Sequence, residues 1–448
     1  MAELQPNDDA DLTKADASPT KAFFVDIITR DILLDEAIQD LLDNCVDGAK
    51  RLNPGDDSSF NGLWVRLEVG PDKFEIADNC GGIPLDVARK YAFKFGRAAG
   101  FKPTSHSVGQ FGVGMKRALF KMGGRFSVSS VEPESRFTIA VDVEAWAQDD
   151  RHWDFDITGL VQAPNPVAET GTVLKVEDLE VGVAETFKQE TFVKALRNQI
   201  RVTQQHPMAR GLQISLNGEA IIPLGWQLIE GEGLAPMFKR FEDDLGGTDK
   251  LKTRLYSGIG ESSSALAGWY IFCNGRCILD ADQSDVTGWT ITSDNVAIPK
   301  YHGQFARFRG YAFLDSDDAE ILPWNTTKTG LDLDSAAYRR LSGRLVDATR
   351  PVIDFLNSLD AEQDFEKNDQ VLTAAVAKAP QVALEKLVER PVFQYTPPPR
   401  RGPALARISY KRPQAEVDKL KDEFNVSSNK EVGERSFEFA FERLVDES

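Results

Sequence analysis

Asp40, Asn44 and Asp47 recur at i, i+4 and i+7 within the stretch 36–47. That spacing stacks an acid, an amide and an acid along one side of a helix. Oxygen ligands in such a line suit a magnesium ion, and a carboxylate beside them suits the activation of a water molecule. Ile38, Leu41, Leu42 and Cys45 recur at i, i+3, i+4 and i+7 and give the same helix an apolar face. Taken alone, the stretch reads better as an amphipathic helix with an ordinary solvated face. Three further segments change that balance.

The strand 74–77 runs into Asp78-Asn79-Cys80-Gly81-Gly82-Ile83-Pro84. An acid at a strand end accepts a hydrogen bond, such as one from an adenine amino group, while the glycines let the backbone approach a flat ligand. Gly109-Gln110-Phe111-Gly112-Val113-Gly114-Met115-Lys116 opens directly onto a helix, and such a loop cradles phosphate with backbone N–H groups. It is not a P-loop, because Met115 stands where that pattern needs lysine, and no strand immediately precedes it as a dinucleotide fingerprint requires. The turn Glu169-Thr170-Gly171-Thr172 leads into an apolar strand. Each segment alone has a plain structural reading; their order and spacing carry the argument.

The elements that must position these residues are an α/β mixture. Helical patterns cover 33–50, 85–95, 115–122 and 191–202, and strand patterns cover 63–69, 74–77, 125–131, 137–143 and 171–176. A second domain over 206–360 opens with an alternating strand at 212–216. It contains Asn-Gly turns at Asn217-Gly218 and Asn274-Gly275, and helices near 335–359. Residues 360–395 read as a charged helical connector, followed by a Pro-rich linker to 403. The 448 residues suit two or three domains, with a polar, disordered start over 1–20. No apolar run reaches the roughly 20 residues of a membrane span, and the N-terminus is not a secretory signal. The four scattered cysteines read as buried free thiols, so a reducing cytoplasm is expected. A net charge of −18 excludes a protein that coats nucleic acid over its whole surface, so any DNA contact must be a local patch.

Taken together, the four segments over 25–205 resemble the GHKL ATPase superfamily: gyrase-type topoisomerases, large heat-shock chaperones, histidine kinases and MutL. Gly109–Lys116 and Gly171–Val176 look closest to MORC-like ATPases. The resemblance implies a Bergerat-fold α+β sandwich over 21–205 that binds ATP and Mg2+. It implies that Asn44 holds the metal, and that Asp78 binds adenine with Thr172 beside it. Asp47 and Gly82 would complete the cofactor site, and Gly109, Gly112, Gly114 and Lys116 would wrap the triphosphate as part of a mobile lid. Two positions depart from the family. Asp40 stands where a glutamate base is usual, one methylene shorter, with Glu36 one turn back as a fallback; Cys80 stands where the family has glycine. Slow hydrolysis is the expectation.

Tyr270–Arg276 and the loop Leu322–Asp332 resemble the transducer domain of the same proteins, which has a ribosomal-protein-like β-α-β fold. That resemblance makes Lys328, with Asn325 nearby, the residue that reaches the γ-phosphate, so that only ATP would draw the second domain onto the first. Finally, Arg407-Ile408-Ser409-Tyr410-Lys411-Arg412-Pro413 alternates like a strand, and two amphipathic helices follow it. Over 404–448 this resembles a ribbon-helix-helix domain, with Arg407, Ser409 and Lys411 facing DNA; a dimerisation module alone is the plainer reading. The expected protein is a cytoplasmic homodimer tightened by ATP. It would act on DNA as a clamp or switch, with an operon-encoded partner in a phage-defence or restriction-type setting. A chaperone-like ATPase and a non-hydrolysing ATP-bound module are the alternatives.

Overall fold

The computed structural model describes residues 20–55, 59–96, 106–109, 112–149, 152–290, 292–293, 296–325, 327–364, 370–396 and 408–446. Of the expected disordered start over 1–20, residues 1–19 lie outside these residues, as do 397–403 of the linker and Arg407. Thr20 belongs to the fold, since its hydroxyl caps the first helix by accepting from the Phe23 N–H at 3.4 Å. The chain divides into two compact units, Met1–Gln363 with Lys367–Pro397, and Asp364–Glu366 with Pro398–Ser448.

The first unit opens with α1 (Lys21–Arg30) and α2 (Leu34–Leu52), then β1 (Trp64–Val69) and β2 (Phe74–Asp78). The short α3 (Leu85–Val87) runs into a π-turn over Ala88–Ala92. The helix α4 (Gly114–Met122) leads into β3 (Gly123–Glu132), β4 (Ser135–Asp142), α5 (Val143–Ala147), β5 (Ile157–Val161) and β6 (Gly171–Leu179). Then come α6 (Val181–Phe187), α7 (Glu190–Thr203), α8 (Gln205–Ala209), β7 (Gln213–Leu216) and β8 (Glu219–Ala220). These strands form one eight-stranded mixed sheet in the order β5-β4-β3-β6-β2-β1-β7-β8. The helices share its core: Ile38, Leu42 and Ala49 of α2 and Leu119 of α4 are fully buried with Val65, Phe74 and Val176 of the sheet. Alternation fixes which side chains enter that core. In β2, Phe74, Ile76 and Asp78 are the buried positions, so the strand-end carboxylate lies in line with the apolar residues.

One boundary differs from expectation. The strand at 213–216 does not open the second domain but pairs in parallel with β1, with Ile214 opposite Val65 and Leu216 opposite Leu67. All four of these side chains are buried, so joining the first sheet satisfies the inward positions of β7.

The second sheet contains β11 (Met237–Asp243), β12 (Leu251–Ile259), β13 (Gly268–Cys273), β14 (Arg276–Asp282) and β17 (Phe308–Asp315), in the order β11-β12-β17-β13-β14. Short strands β9 (Gln227–Ile229) and β10 (Leu234–Ala235) precede it, and β15 (Thr292–Ser293) pairs with β16 (Val296–Ala297) beside it. Both faces are covered, so β13 is buried at every position and reads as a continuous apolar run. On one face lies α9 (Ala336–Ala361), whose Thr349 accepts from the Trp269 indole at 3.0 Å. The other carries an aromatic layer in which Phe272 and Phe313 stack at 4.7 Å. The β-α-β order implied by the resemblance is not seen. Among its described residues, the connection from β14 to β17, the parallel neighbour of β13, holds 3-10 turns and the β15–β16 hairpin, and α9 follows the last strand. The two Asn-Gly turns are as expected, with Asn217, Gly218, Asn274 and Gly275 all at positive φ.

The connector is also corrected. Among its described residues, only α10 (Val371–Lys378) is α-helical between α9 and the second unit. β18 (Gln381–Ala383) then pairs with β9, and β19 (Gln394–Tyr395) with β10. Leu384, Leu387 and Phe393 supply the buried apolar surface that draws this segment back onto the first unit.

In the second unit, α11 (Gln414–Phe424) and α12 (Asn429–Phe441) match the two expected helices, and Ser428 closes a capping box with Glu431. The strand expected through Pro413 is not formed over 408–413, where Ile408 and Tyr410 are exposed. An isolated strand leaves its N–H and C=O groups unpaired, so one copy of this segment has no ladder to join.

Leu345 of α9 is fully buried in the second sheet's core. Leu345→Ala should therefore cost about 2–5 kcal/mol, read as a lowered urea midpoint at unchanged slope.

Candidate active site

Helix α2 carries chemistry on the side that its apolar face does not use. The two oxygens of Asp40 are held separately, Oδ2 by Arg117 Nη2 at 2.8 Å and Oδ1 by Lys328 Nζ at 3.0 Å. One turn on, Asn44 is exposed. Asp47 accepts from the backbone N–H groups of Val108 and Gly109, each at 2.8 Å, so its carboxylate fastens the start of the glycine loop. Burial, partly offset by Lys50 and these N–H groups, raises its pKa. Glu36 accepts from the Leu33 N–H at 3.4 Å, which caps its own helix.

Asp78 sits opposite Thr172 in the β2–β6 register and accepts from the Cys80 N–H at 2.7 Å. Burial pushes its pKa up against hydrogen bonds from Cys80, the Cys45 thiol and the Thr172 N–H. Gly82 has φ +70°, and a Cβ there would overlap the Val131 carbonyl, so only glycine fits this approach of the loop to β3. At Gly114 a Cβ would stand 2.8 Å from Asp40 Oδ2, so glycine opens the room that the shorter acid occupies.

Lys116 departs from its expected role. Its buried ammonium donates to the carbonyls of Ala92, Lys94 and Gly112, so it staples the loop to the segment after the π-turn. Burial lowers its pKa to about 8. The residues before the glycine loop are tied to the second sheet as well: Asn274 donates to the Ser107 carbonyl at 3.1 Å, and Val108 is buried in that sheet's core. Gln110 and Phe111 of the loop lie outside the described residues.

Two cations come from the second sheet and the loop beyond it. Lys328 Nζ bridges Asp40 Oδ1 and Asp43 Oδ2, the latter at 2.9 Å. Arg276, at the start of β14, donates to Asp43 Oδ1 at 2.7 Å and to Gln39 at 3.1 Å. Asp43 is 1% exposed, and Arg276 and Lys328 are each 5% exposed. Sequence reasoning passed over Asp43, Arg276 and Arg117. The signal for Asp43 was present, because Gln39 and Asp43 are four apart and mark a second polar line on α2. Its partner Arg276 lies 233 residues away, beyond any local pattern.

All eleven residues expected for catalysis and cofactor binding line one cavity of about 240 Å3: Asp40, Asn44, Asp47, Asp78, Gly82, Gly109, Gly112, Gly114, Lys116, Thr172 and Lys328. Ile76, Ile83, Val128 and Leu174 give it an apolar wall beside Asp78. Residues 32–171 match the family model described as histidine kinase-, DNA gyrase B- and HSP90-like ATPase. The match supports a GHKL-type ATPase domain over this segment. No curated protein matches the chain significantly. The GHKL domain supports an ATP-dependent function and ATP binding, and no helix among the described residues is long and apolar enough to cross a membrane.

Burial alone would raise the Asp43 pKa, but Arg276 and Lys328 overcome it and hold the carboxylate below its ordinary 3.8. Burial alone would lower Lys328, but Asp43 and Asp40 overcome it and hold the ammonium above 10.5. The Asp43 contribution to stability is thus complete above the unfolded-state pKa and is lost as pH falls through the folded value. The Lys328 contribution is complete below 10.5 and is lost as pH rises through its folded value. Urea midpoints measured against pH should show both limbs. Asp43→Asn should flatten the acid limb and Lys328→Met the alkaline one.

Proposed function

We propose that the chain is a slow, Mg2+-dependent ATPase of MORC-like type that works as a dimerising clamp or switch on DNA. One observation carries the reading: an acid on α2 of the GHKL domain and a lysine from a loop beyond the second sheet meet at 3.0 Å on the wall of one cavity. A base next to a phosphate-seeking cation is the pairing that phosphoryl transfer requires. Asp40 takes the proton of a water whose oxygen attacks the γ-phosphorus, and the bond to the β-phosphate oxygen breaks to release ADP. Lys328 neutralises charge on the transferred group, and its loop gives the second domain a transducer's role.

The donor set fits magnesium. Asn44 offers one amide oxygen near Gly109, and among the described residues no cluster of three His, Cys, Asp or Glu forms a separate metal cage. A Mg2+ ion takes few protein ligands and leaves most of its shell to phosphate and water. Asn44 would hold it, and the ion would neutralise phosphate charge. Adenine would lie against the apolar wall with its amino group on Asp78. The paired oxygens of Asp40 favour slow turnover, and they keep a non-hydrolysing switch as the second reading.

The DNA part of the proposal rests on the second unit. Ser409 and Lys411 lie on an exposed segment, and Phe437, Phe439 and Leu444 leave apolar surface that a second copy would cover. Two copies would pair segments 407–413 into a ribbon, with Arg407 completing its basic edge. A prokaryotic defence setting with an operon-encoded partner follows from the MORC likeness alone.

Asp78→Ala should lose measurable ATP binding by calorimetry, while Asp40→Ala should bind ATP and lose turnover by at least about 100-fold. Wild-type affinity in the Asp78 variant would remove the adenine assignment. Deleting 397–448 should abolish DNA binding and the dimer contact made without nucleotide. Arg407→Ala with Lys411→Ala should weaken DNA binding, keep the dimer, and reduce the salt slope by roughly 0.9 for each phosphate no longer neutralised. Equal DNA affinity for the truncated and full chains at matched salt would place the DNA contact elsewhere.

A further inference from the structure

Five charged side chains meet where the second sheet reaches α2. Asp40 and Asp43 are the anions; Arg117, Arg276 and Lys328 are the cations, a surplus of one positive charge. Among the described residues, Asp43 alone touches both Arg276 at the start of β14 and Lys328 in the loop beyond the second sheet. It is not among the residues that line the cavity, whereas Asp40 and Lys328 are.

The two acids are held differently. Asp43 is fixed by three donors: Arg276, Lys328 and the Gln204 amide at 2.8 Å. Asp40 has two, Arg117 and Lys328. An ammonium carries three N–H donors, and Lys328 gives one to each acid, so one remains for a third acceptor. A second observation marks the same residue as constrained. Lys328 has φ +57°, a conformation unfavourable for a residue with a Cβ. Asn325 holds the loop in that shape, accepting from the Lys328 N–H through its carbonyl and from the Thr329 N–H through its side chain, each at 3.0 Å.

We infer that Asp43 is a positioning residue: it anchors Lys328 so that an incoming γ-phosphoryl group draws the lysine off Asp40 while the lysine stays fixed to α2. The inference rests on the ATPase reading above. Lys328 neutralises Asp40 until phosphate oxygens compete for the same ammonium. The exchange then frees one Asp40 oxygen to accept a proton, and the retained bond to Asp43 keeps the second domain docked. Without Asp43, Asp40 is the one anion among the described residues left to Lys328, and the base stays occupied.

The test compares full-length wild type, Asp43→Asn, Lys328→Ala and the double variant. Three quantities are read: affinity for a non-hydrolysable ATP analogue, turnover, and amide hydrogen exchange over 322–332. In Asp43→Asn, turnover should fall at least about tenfold while analogue affinity stays within about threefold, and exchange over 322–332 should speed up. In the Lys328→Ala background the same substitution should cost no more than about threefold further turnover, because the two residues act as one unit. Wild-type turnover with unchanged loop exchange, or losses that multiply independently, would overturn the inference. Should Asp43→Asn fail to fold, Gln204→Ala removes one fixing donor without stranding a charge. It should give a smaller loss of turnover that vanishes without Lys328, and equal losses in both backgrounds would overturn the inference. A wild type that binds no analogue defeats the ATPase reading instead, and loop exchange in Asp43→Asn still decides whether Asp43 anchors Lys328.

Discussion

Charges withdrawn from water must be matched, and in this chain the matching runs between two sheets. Each buried ion costs several kcal/mol in lost hydration, which is recovered only with close partners and satisfied hydrogen bonds. Asp43, at 1% exposure, is held ionised on α2 by Arg276 and Lys328, and it matches the buried charge of Arg276 while sharing Lys328 with Asp40. The start of β14 and the loop bearing Lys328 are therefore fixed against α2 together. The apolar face of α2 is committed to the first sheet, so the helix is held on both sides and its acids have defined positions at the cavity. Unlike area burial, this constraint tolerates no lateral sliding, because the Nζ of one lysine must satisfy two carboxylates at 3.0 and 2.9 Å.

Local periodicity and glycine placement made the cavity legible in the sequence. The i, i+4, i+7 line on α2, the acid ending β2, and the glycine run before α4 are each set by backbone geometry within one element, and each residue named from them reaches the same cavity. What periodicity could not supply was the partner of each charge. Lys116 has the residue type and position of a phosphate ligand, yet three backbone carbonyls claim its ammonium, and carbonyl positions leave no trace in side-chain patterning. Strand ownership was illegible for a similar reason. Nothing in the alternation at 213–216 says whether its neighbour is β1 or β11, and the choice follows from the register with Val65 and Leu67. The segment 380–395 reads as part of a charged helical connector, but five of its residues pair as strands.

Residues 106–109 are anchored from two sides. Asp47 fixes the backbone of Val108 and Gly109 from α2, and Asn274 fixes the Ser107 carbonyl from the second sheet. At the far end, Val113 and Gly114 lead into α4, with Arg117 already on Asp40. The described residues on either side of the loop are thus fixed by Asp47 and Asn274 before it, and by α4, whose Arg117 belongs to the charged cluster, after it. Residues 106–109 are thereby tied to α2 and to the second sheet at once.

The return of the chain over 380–396 also has a mechanical side. Tension on the C-terminal unit enters the first unit at Thr396, whose N–H donates to the Gly233 carbonyl at 2.8 Å. Behind it stand two ladders of two and three residues and the Arg390–Glu230 ion pair at 2.7 Å. Ladders this short resist small forces stiffly and then open as a group. Once peeled, residues 380–396 would add on the order of 60 Å of extended chain. The joint therefore has a short stiff regime and a long compliant one, and the ladders, the ion pair, the Phe238–Arg390 backbone pair and the buried Leu384, Leu387 and Phe393 together set the force at which the first gives way to the second.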